Sequence, residues 1–170
     1  MGLKVGMVEL VPYDVSWTKK YKYEEKRLKK IFGEYAEKIE HVGSTSIEGL
    51  SAKPIIDIAV GVKSLNGFDK IRSFFDNSKN YHIKENSTNG EILIRKGSED
   101  NRTHYIHVME IDSDRYKDTI LFRDYLRNHE DTKMEYEKLK TKLAKEYADD
   151  RHTYTALKND FIKNVLAMCK

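Results

Sequence analysis

The hydrophobic pattern in the first half of the chain predicts a helix, two strands and a second helix. Apolar residues recur at helical spacing over residues 17–32, and Gly33 is placed to end that helix. A strand is predicted at 38–42. The nearly continuous apolar run at 54–62 predicts a second strand that is buried on both faces. Ser64 then caps the second helix, whose apolar residues also recur at helical spacing.

The second half of the chain predicts three strands and then three helices. Asn89-Gly90, between the first two of these strands, is typical of a hairpin turn. Residues 114–168 are predicted to be helical, with breaks near 128–130 and 148–150. This order favours an α+β fold, in which a short mixed sheet is covered by helices and a helical segment closes the chain. The three strands are predicted at 80–85, 91–97 and 103–111.

Length and composition favour one globular domain over residues 1–170. Charged residues make up 35% and hydrophobic residues 39% of the sequence, which is an ordinary balance for a globular chain. The net charge of +3 is the difference between 31 basic and 28 acidic residues, and no basic stripe stands out. This pattern argues against nucleic acid as a partner. The sequence does not determine the oligomeric state.

Cysteine use and the N-terminal segment indicate a cytoplasmic protein. Cys169 is the only cysteine, so an intramolecular disulfide and a cysteine metal cluster are excluded. The N-terminal residues lack the apolar core of a signal peptide, and no run reaches the roughly 20 apolar residues that span a bilayer. We therefore expect a cytoplasmic protein without a membrane partner.

The segment from His41 to Val62, HVGSTSIEGLSAKPIIDIAVGV, points most directly to chemistry. Its Gly43-Ser44 turn offers backbone N–H groups to a phosphate, and glycine removes the side chain where the phosphate approaches. Asp57 is a lone carboxylate in an apolar strand, where an unpaired charge costs several kcal/mol unless a cation or donors receive it. Together these features predict a phosphate-and-metal site.

Each of these features also has a purely structural interpretation. The Gly-Ser pair is compatible with an ordinary turn, and Asp57 with a carboxylate that pairs with Lys53. In the functional interpretation, Asp57 helps to hold a divalent cation that bridges phosphates. A regular strand places Asp57 and Ala59 on one face, where a second carboxylate would complete a paired ligand set. Ala59 cannot serve as a ligand, which weakens the catalytic interpretation.

The segment 103–111 contributes two histidines and a carboxylate. If the strand is regular, His104 and Glu110 share one face and His107 lies on the other. His104 and Glu110 are then about 20 Å apart, so that only one of them can lie near Asp57. The spacing of the two histidines is not a zinc signature. Half-buried hydrogen bonding is the more common role of such histidines.

Two cationic side chains in the predicted helices are candidates for phosphate contacts. Arg123, in the sequence FRDYLR, is flanked by aromatic residues that could hold its guanidinium for bidentate phosphate binding. Lys158 lies within the apolar stripe of the last helix. The structural alternatives are a solvated charged helix face and a lysine that extends to the surface.

Five motifs, in their order along the chain, resemble the GrpB family of bacterial proteins. They are VPYD, HVGSTSIEGLSAKPIIDIAVGV, HYIHVME, LFRDYLRNH and the Y-x-x-x-K-x-x-F pattern of Tyr154–Phe161, and they cover nearly the whole chain. The family is similar to a divergent branch of the polymerase β-like nucleotidyltransferases. This resemblance implies a short mixed sheet, a Gly-Ser turn that opens a helix, and acids on the following strands that hold magnesium.

By position, Gly43 and Ser44 match the phosphate-binding turn of that superfamily, and Asp57 matches its first metal-binding acid. Ala59 stands where a second acid is normal, and Glu110 is the candidate for a third. The resemblance therefore implies transfer of a nucleoside monophosphate from an NTP to an unknown small acceptor, with Mg²⁺ as the cofactor.

In that mechanism, Asp57 and Glu110 bind Mg²⁺, and His104 or His107 acts as the base for an acceptor hydroxyl. The alternative is a binding module that kept the nucleotide pocket and lost turnover, which Ala59 favours. The predicted phosphate-binding residues are Gly43, Ser44, Thr45, Lys53, Arg123 and Lys158.

Overall fold

The structure, a computed structural model, describes residues 1–84 and 90–169. These residues form an α+β fold, which confirms the predicted fold class. The helices are α1 (Ser16–Phe32), α2 (Asp69–Asp76), α3 (Asp114–Asn128), α4 (Glu130–Glu146) and α5 (Arg151–Cys169). The strands are β1 (Ala36–Val42), β2 (Ile56–Val62), β3 (Tyr81–Ile83), β4 (Glu91–Gly97) and β5 (Arg102–Glu110).

The strands form one mixed sheet in the order β1-β2-β5-β4-β3. The pair β2–β5 is parallel, and the other neighbouring pairs are antiparallel. β2 has a strand on each side and is buried on both faces, which explains why its sequence is apolar without alternation. In this register Asp57 lies opposite Tyr105, and Ala59 lies opposite His107.

The two faces of the sheet have different characters. One face buries Ile58 and Ile106 against Trp17 of α1 within the main core. The opposite face carries Asp57 and Ala59, since residues two apart on a strand share a face. Ala59 packs there against α3. Asp57 of β2 and His107 of β5 therefore share the face that is covered by the C-terminal helices.

The loop between β1 and β2 is also covered by the C-terminal helices. Ile47 of this loop packs in one cluster with Leu126 of α3 and Tyr136 of α4. Lys140 of α4 is buried and donates a hydrogen bond to the backbone carbonyl of Ser51. These contacts place α3 and α4 beside the turn that follows β1.

Most predicted element boundaries agree with the structure. Gly33 has φ 54° and follows the last residue of α1, as predicted. The strand predicted at 54–62 begins at Ile56, because the Ile55 amide is used in a tight turn. β3 and β4 pair antiparallel, as predicted. Asn89 of the predicted hairpin turn lies outside the described residues.

We expected no membrane partner from the sequence. Within residues 1–84 and 90–169, none of the helices combines the length and the apolar composition that crossing a bilayer requires.

Candidate functional site

The turn that follows β1 is in direct contact with Asp57 on β2. Gly43 has φ 69° and ψ −178°, a backbone region that is essentially restricted to glycine. A Cβ atom at this position would lie 2.7 Å from Oδ2 of Asp57. Glycine thus allows the backbone to approach the carboxylate. The structure brings together the turn and the acid that the sequence predicted to share a site.

Three adjoining cavities meet at this turn. The largest, of about 410 Å³, is lined by Gly43, Ser44 and Lys158 and extends between α3 and α5. A cavity of about 50 Å³ lies beside Asp57, and one of about 160 Å³ lies between Asp57 and α3. We call this region the Asp57 cleft, and it is defined by Gly43, Ser44, Lys53, Asp57, Arg151 and Lys158.

Side chains of the surrounding elements hold the turn in place. The Thr45 hydroxyl is hydrogen bonded to Nε2 of His41 at 3.0 Å, and the His41 ring stacks on Tyr21 with 4.7 Å between ring centroids. Nη2 of Arg127 donates to the carbonyl of Ser46 at 2.8 Å. The prediction that Thr45 binds phosphate is wrong for its side chain, because the residue is 1% exposed and its hydroxyl is engaged by His41.

Asp57 begins a chain of alternating charges that runs across the sheet. Its Oδ1 lies 3.4 Å from Nε2 of His107, and Nδ1 of His107 lies 3.0 Å from Oε2 of Glu91 on β4. Nε of Arg115, in the first turn of α3, donates to the same oxygen of Glu91 at 3.1 Å. The Asp57 side chain remains 33% exposed, so its second oxygen is open to the Asp57 cleft beside Gly43.

These hydrogen bonds stabilise the charged forms of all three groups. Burial disfavours the charged His107 ring, but hydrogen bonds to Asp57 and Glu91 raise its pKa to about 9. Burial also opposes ionisation of the two carboxylates, but His107 lowers the pKa of both below its ordinary value. A histidine with this pKa holds its proton at neutral pH, which argues against the predicted role of His107 as a general base; that role stays a prediction.

Replacing His107 by glutamine is expected to remove a pH-dependent part of the stability. Because the pKa of His107 is raised from 6.5 to about 9, the charged ring stabilises the fold fully below pH 6.5 and loses this contribution as the pH rises through 9. We expect the native protein to exceed His107→Gln in free energy of unfolding by about 3 kcal/mol more below pH 6.5 than above pH 9, the difference shrinking between these two pH values.

Urea unfolding of the native protein and of His107→Gln across this pH range measures the difference in their free energies of unfolding. Groups that titrate in both proteins do not contribute to this difference. His152→Gln changes an exposed histidine on α5 and is the matched control. We expect its stability to follow that of the native protein at every pH. A difference between the native protein and His107→Gln that is constant with pH contradicts the assignment of the charge to His107.

Three cationic side chains lie at the open side of Asp57. Nζ of Lys53 and Nζ of Lys158 lie 5.5 and 4.6 Å from the centre of the Tyr154 ring. The Arg151 guanidinium packs on a tyrosine ring of β5 at 4.8 Å and donates a hydrogen bond to the hydroxyl of that tyrosine. Among the residues that the structure describes, none of these three cations forms an ion pair with a carboxylate within 4.0 Å.

The surroundings of the two lysines destabilise their charged forms. Burial and the nearby charges of Arg151 and Lys158 lower the pKa of Lys53 to about 7. Burial and Arg151 also lower the pKa of Lys158 to about 8, although Asp57 acts in the opposite direction. An anion bound among these side chains would reverse both shifts, because an opposite charge favours the ammonium form. The Asp57 cleft therefore carries an excess of positive charge.

Arg123 is engaged within the protein. Its Nη1 donates to Oε2 of Glu40 at 2.7 Å and to the carbonyl of His41 at 3.0 Å. Its Nε donates to Oδ1 of Asp124 at 2.8 Å. Burial opposes its charge, but these hydrogen bonds raise its pKa above the ordinary value. Arg123 thus fastens α3 to β1, but it also lines the cavity that contains Ser44 and Lys158, so its contact with phosphate stays a prediction.

His104 and Glu110 lie away from Asp57, so the roles predicted for them are wrong. His104 is opposite Ile56 in the register of β2 and β5, which places it on the other face of the sheet, where it is buried. Glu110 is five residues beyond the partner of Asp57, or about 16 Å along the strand. Its Oε1 accepts a hydrogen bond from the Leu65 amide at 3.1 Å.

The residues beside Asp57 do not fit the magnesium site that the resemblance implies. Ala59 is fully buried and offers no ligand, and Glu91 is linked to Asp57 only through the His107 ring. In the described part of the chain, no group of three or more His, Cys, Asp or Glu side chains is placed to hold a metal ion. Mg²⁺ prefers an octahedral set of oxygens, whereas a cationic ring occupies one oxygen of Asp57. Magnesium dependence stays a prediction.

Sequence reasoning missed several residues at this site. Glu91 and Arg151 belong to segments to which the sequence pattern assigns no chemistry. Tyr105 alternates with His107 on β5, so this alternation could have placed it on the face that carries Asp57. No local signal identifies Arg151, because its approach to Tyr105 depends on the path of the C-terminal helices.

The chain is similar to proteins of one family over nearly all of its length. The model of the family described as GrpB protein matches residues 7–168. Glutamate-rich protein GrpB of Alkalihalophilus pseudofirmus is 37% identical over 98% of each chain. The UPF0157 protein YqkA of Bacillus subtilis is 36% identical over 92% of this chain but only 45% of YqkA. The crystal structure of conserved protein GrpB from Enterococcus faecalis matches with a TM-score of 0.85 at 32% identity, over 95% of this chain and 96% of that chain.

Proposed function

This chain belongs to the GrpB family, and from the geometry of the Asp57 cleft we propose that it binds the phosphate groups of a small-molecule ligand. The observation that carries this proposal is the convergence of Lys53, Lys158 and Arg151 on one side of the cleft without carboxylate partners among the described residues. Asp57 favours the charged forms of both lysines, but burial and the neighbouring cations outweigh it, so that both pKa values stay below their ordinary value.

The arrangement of the cations favours a phosphate as the missing anion. Lysine and arginine form short, charge-assisted hydrogen bonds with phosphate oxygens. Lys53 and Lys158 share the Tyr154 ring as a support, so less side-chain entropy is lost when they bind a ligand. A phosphate would also offset the mutual repulsion that lowers the pKa of Lys53.

Transfer of a nucleoside monophosphate from an NTP to a small acceptor is a second candidate for the same cleft. It is favoured by the exposed oxygen of Asp57 and by the resemblance of the surrounding motif to the nucleotidyltransferases. In this function the three cations would orient the polyphosphate and neutralise its charge. Ala59 and the hydrogen bond from His107 favour binding without turnover.

Titration with inorganic triphosphate and with ATP, in Mg²⁺ and in a chelator, tests the proposal. We expect both ligands to raise the melting temperature, because they bind the folded state. At a hundredfold excess over Kd the stabilisation is about 2.7 kcal/mol, or roughly 5–10 °C for a chain of this size. Asp57→Asn keeps the shape of the side chain, and Asp100→Asn, at an exposed loop, is the matched control.

The outcomes separate the two candidates. Stabilisation that is independent of metal and survives in Asp57→Asn supports phosphate binding without turnover. Stabilisation that requires Mg²⁺, is lost in Asp57→Asn and is accompanied by pyrophosphate release with an acceptor supports the transfer reaction. If inorganic phosphate, triphosphate and ATP all leave the melting temperature unchanged, both candidates are wrong.

A further inference from the structure

One face of α5 changes in character along the helix. Arg151 and Lys158 contribute to the Asp57 cleft, and Ile162 and Leu166 follow Lys158 at intervals of four residues. At the α-helical rise, Ile162 and Leu166 lie about 6 and 12 Å beyond Lys158 along the helix axis. The face therefore passes from cationic to apolar with distance from Asp57.

This face of α5 forms one side of the cavity of about 410 Å³. Ser44 and Lys158 line one part of it, next to the turn. The apolar part includes two aromatic walls, since the rings of Phe122 and Tyr136 are perpendicular with 5.4 Å between centroids. Tyr136 is held from another side by a stacked phenylalanine ring at 5.2 Å. The apolar lining comprises Ile47, Phe122, Tyr136, Ile162 and Leu166, and α3 adds a polar wall of Arg115, Asp118, Thr119 and Arg123.

We infer that the ligand of the Asp57 cleft is a phosphate ester whose other group is an apolar ring. This inference rests on the proposed phosphate binding and specifies the class of ligand. A phosphate held by Lys158 leaves the attached group beside Ile162 and Leu166, because these three side chains line the same cavity on one helix face. The volume is within the range of small-molecule sites, roughly 300–1,000 Å³.

The walls favour a ring over other attached groups. An inorganic polyphosphate would leave the apolar surface in contact with water and would gain nothing from it. Along α5, a hydroxylated group would face Ile162 and Leu166, which offer no hydrogen-bond partners. Phe122 is only partly buried and its ring is held by Tyr136, so its orientation is fixed before a planar group binds.

The test compares inorganic phosphate, methyl phosphate and phenyl phosphate by ligand-observed NMR with the full chain, at concentrations up to millimolar. We expect phenyl phosphate to bind roughly tenfold or more tightly than methyl phosphate, because its ring buries apolar surface. Leu166→Gln should remove most of this preference and leave binding of inorganic phosphate unchanged. Ile162→Thr is a second, milder variant with the same expected direction. Leu157→Gln is the matched control, because Leu157 lies on the same helix and is 41% exposed. This variant should still bind phenyl phosphate more tightly than methyl phosphate.

Each other outcome has a defined meaning. Equal affinities of methyl and phenyl phosphate for the native protein overturn the inference and leave phosphate binding intact. A preference that persists in both Leu166→Gln and Ile162→Thr places the ring elsewhere and also overturns it. Binding of none of the three compounds contradicts the proposed function itself, and the inference with it.

Discussion

Replacement of Lys53 and Lys158 together by methionine is expected to abolish phosphate binding and, at the same time, to stabilise the ligand-free protein. Burial and neighbouring cations lower the pKa of Lys53 to about 7, and burial is the main cause that lowers the pKa of Lys158 to about 8. The folded state thus destabilises the ammonium groups of the two lysines, whereas water solvates these groups in the unfolded state. We expect the free energy of unfolding at neutral pH to rise by about 1–2 kcal/mol in the double variant.

The loss of affinity in the double variant should be large. Hydrogen bonds to charged groups contribute about 1.5–3 kcal/mol each, so the loss of two cations should weaken triphosphate binding by roughly a hundredfold or more. Calorimetric titration measures the affinity, and urea unfolding measures the stability. Native affinity in the double variant would show that the two lysines are not the phosphate site.

Lys140→Met is the matched control for this experiment. Lys140 is also buried, and burial lowers its pKa to about 8. Unlike Lys53 and Lys158, it donates to the carbonyl of Ser51 and lies 3.4 Å from a carboxylate oxygen of Glu137. Its loss leaves these acceptors without a donor, so we expect a decrease of about 1–3 kcal/mol in stability and an unchanged phosphate affinity. If the double variant loses stability as Lys140→Met does, its loss of phosphate affinity is explained by damage to the fold and not by the loss of phosphate contacts.

Gly43→Ala is expected to weaken both the fold and the binding of phosphate. The backbone at φ 69° and ψ −178° costs a residue with a Cβ atom about 1–3 kcal/mol. The new methyl group would also lie 2.7 Å from Oδ2 of Asp57, so that the carboxylate or the turn must move. We expect a loss of about 3 kcal/mol in the free energy of unfolding, which lowers the melting temperature by roughly 6–12 °C. Triphosphate should bind at least tenfold more weakly, because the methyl group stands at the open side of the turn.

Gly33→Ala separates backbone strain from the close approach to Asp57. Gly33 also has a positive φ, of 54°, but no atom lies within 4 Å of a Cβ atom placed there. We expect this control to lose about 1–2 kcal/mol and to bind triphosphate as the native protein does. Equal effects of the two substitutions on stability and on binding would show that the contact between Gly43 and Asp57 is not important.

The order of elements could be predicted because each element carries its own local signal. The helical spacing of apolar residues and the stop at Gly33 bound α1 before any tertiary contact is considered. The unbroken apolar run of β2 predicted burial on both faces, and the strand has a neighbour on each side in the sheet. These signals depend on backbone geometry and side-chain periodicity, which neighbouring residues determine.

Part of the site could be predicted for a related reason. Gly43 and Asp57 stand at the two ends of one loop between adjacent antiparallel strands, and the preceding residue Val42 is the register partner of Asp57. The contact between the turn and the acid is therefore nearly local. The ion pairs of Arg123 could not be predicted, because its position on α3 does not reveal that Glu40 and Asp124 will accept its hydrogen bonds.

By itself, the sequence determined the elements, the turn and the single carboxylate that faces it. The tertiary structure alone decided that His107, and not His104 or Glu110, meets Asp57, because this choice depends on the register of β5 against β2. It also decided that Arg151 and Lys158 converge on Lys53 from a helix nearly a hundred residues away in the chain. The physical reason is that strand register and helix docking follow from the burial of the apolar residues of all elements together, which no local pattern encodes.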